Sequence, residues 1–228
     1  MAIIMKQITK SFGQKKERRC QVLKQIDMTI EDGEITAIMG RSGAGKSTLL
    51  HIIGCLDRPD TGSYLLDHEN VSTFSNAKLA ECRNSRFGFV MQDFALIEDE
   101  TVRHNIMLPT YFSKKKTGTD CEAIVQKLGI LPLLDKKASL LSGGEKQRTA
   151  IARALINDPK YIIADEPTGA LDSENAQMIM QILLDLKRDS KTVIVVTHDI
   201  QVAKMCDRIL YIADGRIQQT DLSAFSAD

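Results

Sequence analysis

Several features are missing from this chain, and each absence removes a class of function. Charge imbalance is the first: 30 lysines and arginines face 30 aspartates and glutamates, so no overall basic field exists to hold nucleic acid or anionic lipid by charge alone. Cysteine pairs at CxxC spacing are the second. Cys20, Cys55, Cys82, Cys121 and Cys206 are scattered, which suggests neither a zinc site nor a disulfide framework and fits a reducing cytoplasm. No apolar run approaches the ~20 residues of a membrane helix. Met1 leads into a strand-like Ile3 to Ile8 with no charged-then-apolar leader, so the chain is expected neither to span nor to cross a membrane. Internal repeats and low-complexity tracts are also absent.

What is present reads as alternating strands and helices. A chain of 228 residues, against a usual domain of ~150, allows one large domain or two small ones sharing a sizeable core. From Ile3 to Ile38, short apolar alternations are broken at Phe12-Gly13, by the charged stretch Gln14 to Arg19, and at Asp32-Gly33. They predict antiparallel strands with turns. The cluster Lys15, Lys16, Arg18 and Arg19 flanks a glycine turn and contains Glu17, so a solvated loop without assigned function is expected there. Three runs, Ile35 to Met39, Tyr161 to Ala164 and Thr192 to Thr197, are short, apolar and rich in β-branched residues. Each precedes polar or glycine residues and then a helical pattern, as buried parallel strands do. Between Gln92 and Leu155 the texture turns to helical segments such as Cys121 to Leu128, punctuated by Pro109, Gly118, Gly129 and Pro132. An inserted helical subdomain is expected there, with Lys114 to Lys116 in an exposed loop.

The sharpest local signal is Gly40-Arg41-Ser42-Gly43-Ala44-Gly45-Lys46-Ser47, a P-loop pattern that follows the strand Ile35 to Met39 and opens the helix Thr48 to Ile53. Its glycines let backbone N–H groups converge on phosphates at a helix N-terminus. Lys46 offsets β/γ charge and the Ser47 hydroxyl can ligate Mg²⁺. A glycine-rich turn before a core helix is the plainer alternative, but it explains neither the lysine nor the adjacent hydroxyl. Residues 40–48, ending at Thr48, are therefore the expected phosphate cradle. The fold class that follows is α/β, a P-loop NTPase core with a parallel sheet, an N-terminal antiparallel β subdomain and an inserted α-helical subdomain. Residues 1–91 and 156–228 would form the RecA-like core with its β subdomain, and 92–155 the helical part, within a single domain over 1–228.

Tyr161 to Ala164 ends in Asp165-Glu166, two carboxylates at the carboxyl edge of a parallel strand, where ligands of open α/β sheets sit. Asp165 would hold Mg²⁺ directly or through water, and Glu166 would polarise the water attacking the γ-phosphate. Alone, such a pair is more often a helix-capping turn, and the P-loop in the same chain tips the balance. His198 follows the strand ending at Thr197 and is read as a γ-phosphate sensor, although a lone histidine is usually structural. Gln92, after the strand-like Phe87 to Met91, could touch Mg²⁺ or the attacking water, with a surface glutamine as the ordinary alternative.

Leu141-Ser142-Gly143-Gly144-Glu145-Lys146-Gln147-Arg148 resembles the ABC signature and sits between the P-loop and Asp165 as in ABC ATPases. Its local physics is readable: Ser142 with Glu145 three residues on fits a capping box, and the helix through Leu155 points its positive end outward. Two consecutive glycines exceed what capping needs and suit close backbone approach to a phosphate. The resemblance covers nearly the whole chain. It implies that Ser142, Gly143 and Gly144 contact the γ-phosphate of ATP held by a second copy, so that a monomer lacks complete sites. It also implies Phe12 as the adenine-stacking aromatic in place of the commoner tyrosine, Gln92 as the Q-loop, Ala170-Leu171-Asp172 as the D-loop, and His198 as the switch histidine.

Leu56-Asp57-Arg58-Pro59, Arg83-Asn84 before Phe87-Gly88-Phe89-Val90, and Ala164-Asp165-Glu166-Pro167-Thr168-Gly169 are similar to the lipoprotein-release, macrolide-efflux and antimicrobial-peptide branch. Glu98-Asp99-Glu100 departs from that branch's apolar segment after the Q-loop. The resemblance implies an ATPase using Mg-ATP, working as a head-to-tail ATP-sandwich dimer on the cytoplasmic face beneath a separate membrane permease, without nucleic acid. Export or extraction of a peptide, lipoprotein or hydrophobic drug is the expected task. Soluble ABC ATPases acting on DNA or ribosomes generally carry coiled-coil insertions or two cassettes, which this chain lacks, and intact Glu166 and His198 argue against a regulatory module without turnover.

Overall fold

The apolar runs become strands because β-branched and aromatic side chains fit a buried pleated surface. The structure, a computed structural model, describes residues 2–13, 20–114 and 120–218. Lys15, Lys16, Glu17, Arg18 and Arg19 of the basic cluster, with Lys115, Lys116 and Gly118, lie outside the described residues. The order of elements is β1 (Ile3–Phe12), β2 (Cys20–Ile30), β3 (Ile35–Met39), α1 (Lys46–Ile53), β4 (Thr61–Leu66), β5 (Glu69–Asn70), α2 (Asn76–Arg86) and β6 (Phe87–Val90). It continues through α3 (Val102–Met107), α4 (Cys121–Lys127), α5 (Gly143–Leu155), β7 (Tyr161–Asp165), α6 (Ser173–Arg188), β8 (Thr192–Val196), α7 (Ile200–Lys204), β9 (Arg208–Ala213) and β10 (Arg216–Gln218). The chain divides into two units, Met1–Ala80 with Ile194–Asp228, and Glu81–Val193.

The first unit contains an antiparallel sheet in the order β2-β1-β4-β5. The antiparallel reading of the N-terminal strands holds, and β4 and β5 extend it. Its inward side carries Ile3, Met5, Ile8, Leu23, Ile26, Ile30, Tyr64 and Leu66, all essentially buried. β3 is buried along its whole length and pairs in parallel with β9, Ala37 opposite Ile209 and Met39 opposite Tyr211. β10 returns antiparallel on β9. Buried Ala37, Met39 and Ala203 pack with Ile200, Cys206, Ile209 and Tyr211, which seats α7 on β3 and β9. Beyond β8, the Thr197 amide donates to Ile38 O at 3.2 Å, tying this end of the chain to the strand that leads into the P-loop.

In the second unit β6 and β7 pair in parallel, Phe87 opposite Tyr161 and Val90 opposite Ala164. α5 lies so close to β6 that a methyl on Gly88 would come within 2.3 Å of Ala154 O. The inner face of α5 is correspondingly small, with Gly144, Ala150, Ala152 and Ala154 buried alongside Ile151. The amphipathic α6 buries Ile179, Met180, Leu183 and Leu186. Fully buried Asn105 on α3 accepts from Ile97 N at 2.7 Å and donates to Ile97 O and Thr101 O, both at 3.0 Å, fixing the loop that carries Glu98-Asp99-Glu100. Glu98 also pairs with Lys146 at 2.9 Å. The helical segments expected between Gln92 and Leu155 are present as α3, α4 and α5, joined by 3-10 turns. No helix among the described residues is long and apolar enough to cross a membrane, and none of the five cysteines forms a disulfide.

The C-terminus of α1 ends on a buried tyrosine: the Tyr64 hydroxyl donates to Ile53 O at 2.6 Å, inside the first unit. Removing it leaves a helix-end carbonyl without its partner in a dry environment. Tyr64→Phe is expected to cost about 1–3 kcal/mol of stability, seen as a lower midpoint in chemical denaturation with an unchanged slope; an unchanged midpoint would contradict it.

Candidate functional site

In the first unit the P-loop is built by exclusion of side chains. Gly40 leaves β3 so close to β9 that a methyl there would sit 2.2 Å from Ile212 O. Gly43 has φ +76 with open space around it, so it is glycine for backbone conformation alone. Gly45, at φ 106, precedes α1. Lys46 Nζ reaches back along the loop and donates to Gly40 O at 2.8 Å and Arg41 O at 3.1 Å. The amide of Gly215, in the β9–β10 turn, donates to Ala44 O at 3.2 Å. Arg41, Ser42 and Gly43 are exposed along the loop, and Ser47 and Thr48 stand in the first turn of α1. Helix α1 thus starts two residues earlier than the sequence suggested, with Lys46 and Ser47 already helical.

Phe12 closes β1 and is 47% exposed, which leaves a ring face available for stacking. Beside it Lys10 Nζ lies 5.4 Å from the ring centroid and donates to Asp57 Oδ1 and Arg58 O, both at 2.7 Å. Burial alone would raise the Asp57 carboxyl, but the hydrogen bonds from Lys10 and from the Arg58 amide outweigh it and hold its pKa below the ordinary range. His198 is exposed one residue past the Thr197 bond to β3, and Asp199 caps α7 by accepting from Gln201 N at 2.7 Å. Phosphate cradle and candidate sensor therefore leave neighbouring strands of one unit.

In the second unit the register Val90 opposite Ala164 places Gln92 and Glu166 each two residues beyond the last paired position. They converge around Gly169, where a methyl would lie 3.6 Å from both Gln92 Nε2 and Glu166 Cβ. Asp165 ends β7 and is half-buried. Glu166 has φ 45 although Pro167 follows; a residue before proline ordinarily sits in the extended region, so this is a strained turn held from outside. Its carbonyl accepts from Gly169 N at 3.1 Å.

Helix α5 opens with the expected capping box. Ser142 Oγ accepts from Glu145 N at 3.3 Å, and Glu145 Oε2 accepts from Ser142 N at 2.8 Å, which keeps the Glu145 carboxyl below its usual pKa. Asp172 caps α6, accepting from Asn175 N at 2.9 Å, and these bonds lower its pKa likewise. The second signature glycine has a reason inside the chain: a methyl on Gly144 would lie 2.2 Å from Asn175 Oδ1. Gly143 meets only Leu171 and Ala170, at 3.4 Å or beyond, so a methyl there would find room within the chain.

Three residues with no role in the sequence reading hold these loops. Arg153 on α5 donates to Phe94 O at 2.8 Å and to Ala95 O, gripping the chain just after Gln92; burial lowers its pKa. Gln147 on α5, 1% exposed, donates from Nε2 to Pro167 O at 2.8 Å. Asn175 on α6 holds both Asp172 oxygens, at 3.1 and 2.9 Å. A polar Gln147 on a helix face otherwise made of Gly144, Ala150, Ile151 and Ala154 was the one available signal.

A parallel-sheet α/β chain with this cradle and these strand-end carboxylates is a P-loop nucleotide-binding protein by architecture. The ABC transporter family model matches residues 23–169. The ABC transporter ATP-binding protein YvrO of Bacillus subtilis (strain 168) is 44% identical over 218 residues, covering 94% of this chain and 95% of that protein. The macrolide export ATP-binding/permease protein MacB of Shewanella sp. (strain W3-18-1) is 44% identical over 204 residues, 88% of this chain and 32% of MacB, so the chain spans about a third of that relative. Among solved structures, a dimeric post-hydrolysis state of the ATP-binding cassette MJ0796, bound to ADP and Pi, superposes with a TM-score of 0.87 at 39% identity, covering 96% of this chain and 97% of that one. The chain belongs to the ABC transporter family.

Steric contact and backbone strain separate the P-loop glycines. Gly40→Ala, which drives a methyl into Ile212 O, is expected to lose roughly 1–3 kcal/mol from overpacking in addition to the backbone cost. Gly43→Ala carries the backbone cost alone, about 1–2 kcal/mol. Paired thermal denaturation checks the order; a Gly43→Ala more destabilised than Gly40→Ala would contradict it.

Proposed function

We propose that this chain is the ATP-hydrolysing subunit of an ABC transporter, working as two copies beneath a separate membrane permease on the cytoplasmic face. The observation that carries this reading is one chain holding a glycine-built phosphate loop, a strained strand-end glutamate beside Gln92, and a box-capped helix that presents Gly143. Residues 40–48 and Lys46 bind the phosphates of ATP, and Phe12 stacks on adenine. Glu166 orients and polarises the attacking water, Gln92 contacts that water or the metal, and His198 senses the γ-phosphate. Ser142, Gly143, Gly144 and Asp172 face the nucleotide of the other copy.

The Ser47 hydroxyl, the Gln92 amide oxygen and the Asp165 carboxylate are hard oxygens of the kind Mg²⁺ takes, few enough to suit an ion that keeps waters and phosphate oxygens as its other ligands. When bound, Mg²⁺ neutralises charge on the β- and γ-phosphates. Moving a mostly open pair to a mostly closed one requires ~5.5 kcal/mol of differential binding. Two triphosphates bridged by charge-assisted hydrogen bonds are of the right size for that. Closure and reopening then move the permease. The resemblance to the lipoprotein-release, macrolide-efflux and antimicrobial-peptide branch, together with the likeness to the macrolide export protein MacB, supports a peptide, lipoprotein or hydrophobic drug as the exported or extracted cargo.

Three substitutions test these roles separately. Glu166→Gln is expected to lower steady-state hydrolysis by on the order of a hundredfold or more while keeping ATP affinity and lengthening the life of the dimer; wild-type turnover would remove Glu166 from the role. Lys46→Ala should lose ATP affinity, measured by calorimetry. Ser142→Arg should bind ATP yet fail to dimerise in sedimentation, and an ATP-dependent dimer of that variant would count against the shared site.

A further inference from the structure

Within the second unit, α5 touches the first turn of α6 and the loop from Glu166 to Asp172 that leads into it. The first turn of α5 packs Gly144 against Asn175, the residue that holds Asp172. One turn later, buried Gln147 donates to Pro167 O at 2.8 Å. That carbonyl belongs to the residue following Glu166, whose φ of 45 before a proline is an unfavourable conformation. Gln147 Oε1 is buried with no hydrogen-bond partner among the described residues. A wholly structural amide at this position would be expected to use both of its ends; here only the donor is engaged, and its target is the strained turn that sets the Glu166 carboxylate.

From this geometry we infer that Gln147 is a positioning residue for hydrolysis: its Nε2 holds Pro167 O and thereby fixes Glu166 in the orientation that polarises water. Because Gln147 stands on the same helix as Ser142, Gly143 and Gly144, displacement of that helix when it meets a phosphate is delivered to the Glu166 turn of its own chain. A copy whose signature end is engaged thus has its own glutamate adjusted, which couples one nucleotide to the chemistry at the other. The inference rests on Glu166 having the role proposed above.

The experiment compares Gln147→Leu, Gln147→Glu and Glu166→Gln in the full chain. Gln147→Leu removes the orphaned acceptor together with the donor, so the two effects on stability oppose each other, and the fold is expected to persist. Its kcat should fall on the order of a hundredfold, as a displaced catalytic group causes, with ATP affinity unchanged. Hydrogen exchange at the Gly169 amide, which closes the turn on Glu166 O, should quicken. In Gln147→Glu an ionised carboxylate cannot donate to Pro167 O, whereas the protonated acid can, and burial favours the protonated acid. Its kcat relative to wild type should therefore rise as pH falls from about 8.5 to about 6, a profile that simple loss of packing does not produce. Wild-type kcat in folded Gln147→Leu overturns the inference; if that variant does not fold, a pH-independent ratio for Gln147→Glu overturns it. Turnover retained in Glu166→Gln would instead strike the proposed role of Glu166 itself.

Discussion

A chain leaving the end of a buried parallel strand must find hydrogen-bond partners for its backbone outside the sheet, and this one requirement shapes the functional loops of both units. After β3, the carbonyls of Gly40 and Arg41 are taken by Lys46 Nζ, and that of Ala44 by the Gly215 amide. After β6, the carbonyls of Phe94 and Ala95 are taken by Arg153. After β7, that of Pro167 is taken by Gln147. Each loop is free to display chemistry at its tip because its base is fastened by a side chain or a turn from elsewhere.

The fastening is uneven in kind. In the first unit the constraint is mostly steric, since Gly40 and Gly45 pack against β9 and β2 closely enough that a single carbon would collide. In the second it is mostly polar, with one helix supplying Gln147 and Arg153 to two loops. Helix ends follow the same economy: Ser142 with Glu145, and Asp172 with Asn175, satisfy amides that would otherwise lack partners, and those bonds lower the pKa of both carboxyls.

The elements nearest to local chemistry were legible in the sequence. The sequence pattern marks β3 over all five of its residues, β7 and β8 to within one residue, and the Ser142–Glu145 box in full, because strand runs, caps and turn glycines depend on neighbours a few positions away. Gly144 also packs against Asn175, 31 positions on in the numbering, a contact within the chain that the pair of glycines does not announce. Gln147 to Pro167, Arg153 to Phe94, and Lys10 to Asp57 are equally invisible in the sequence. They are contacts between segments far apart in the chain, and no periodicity announces them. Helix α1 begins earlier than the sequence suggests, at Lys46, with Gly45 in the left-handed region at its N-cap position.

The clasp between the turn at Gly215 and the loop at Ala44, together with the seat that Ile212 forms for Gly40, bears on how the protein is made. A ribosome delivers the P-loop early and its clasp some 170 residues later, at ~5–20 residues per second. For those seconds the nascent loop has neither β9 beside it nor the amide that holds the Ala44 carbonyl, so the loop reaches the geometry described here only once the chain has grown past Gly215.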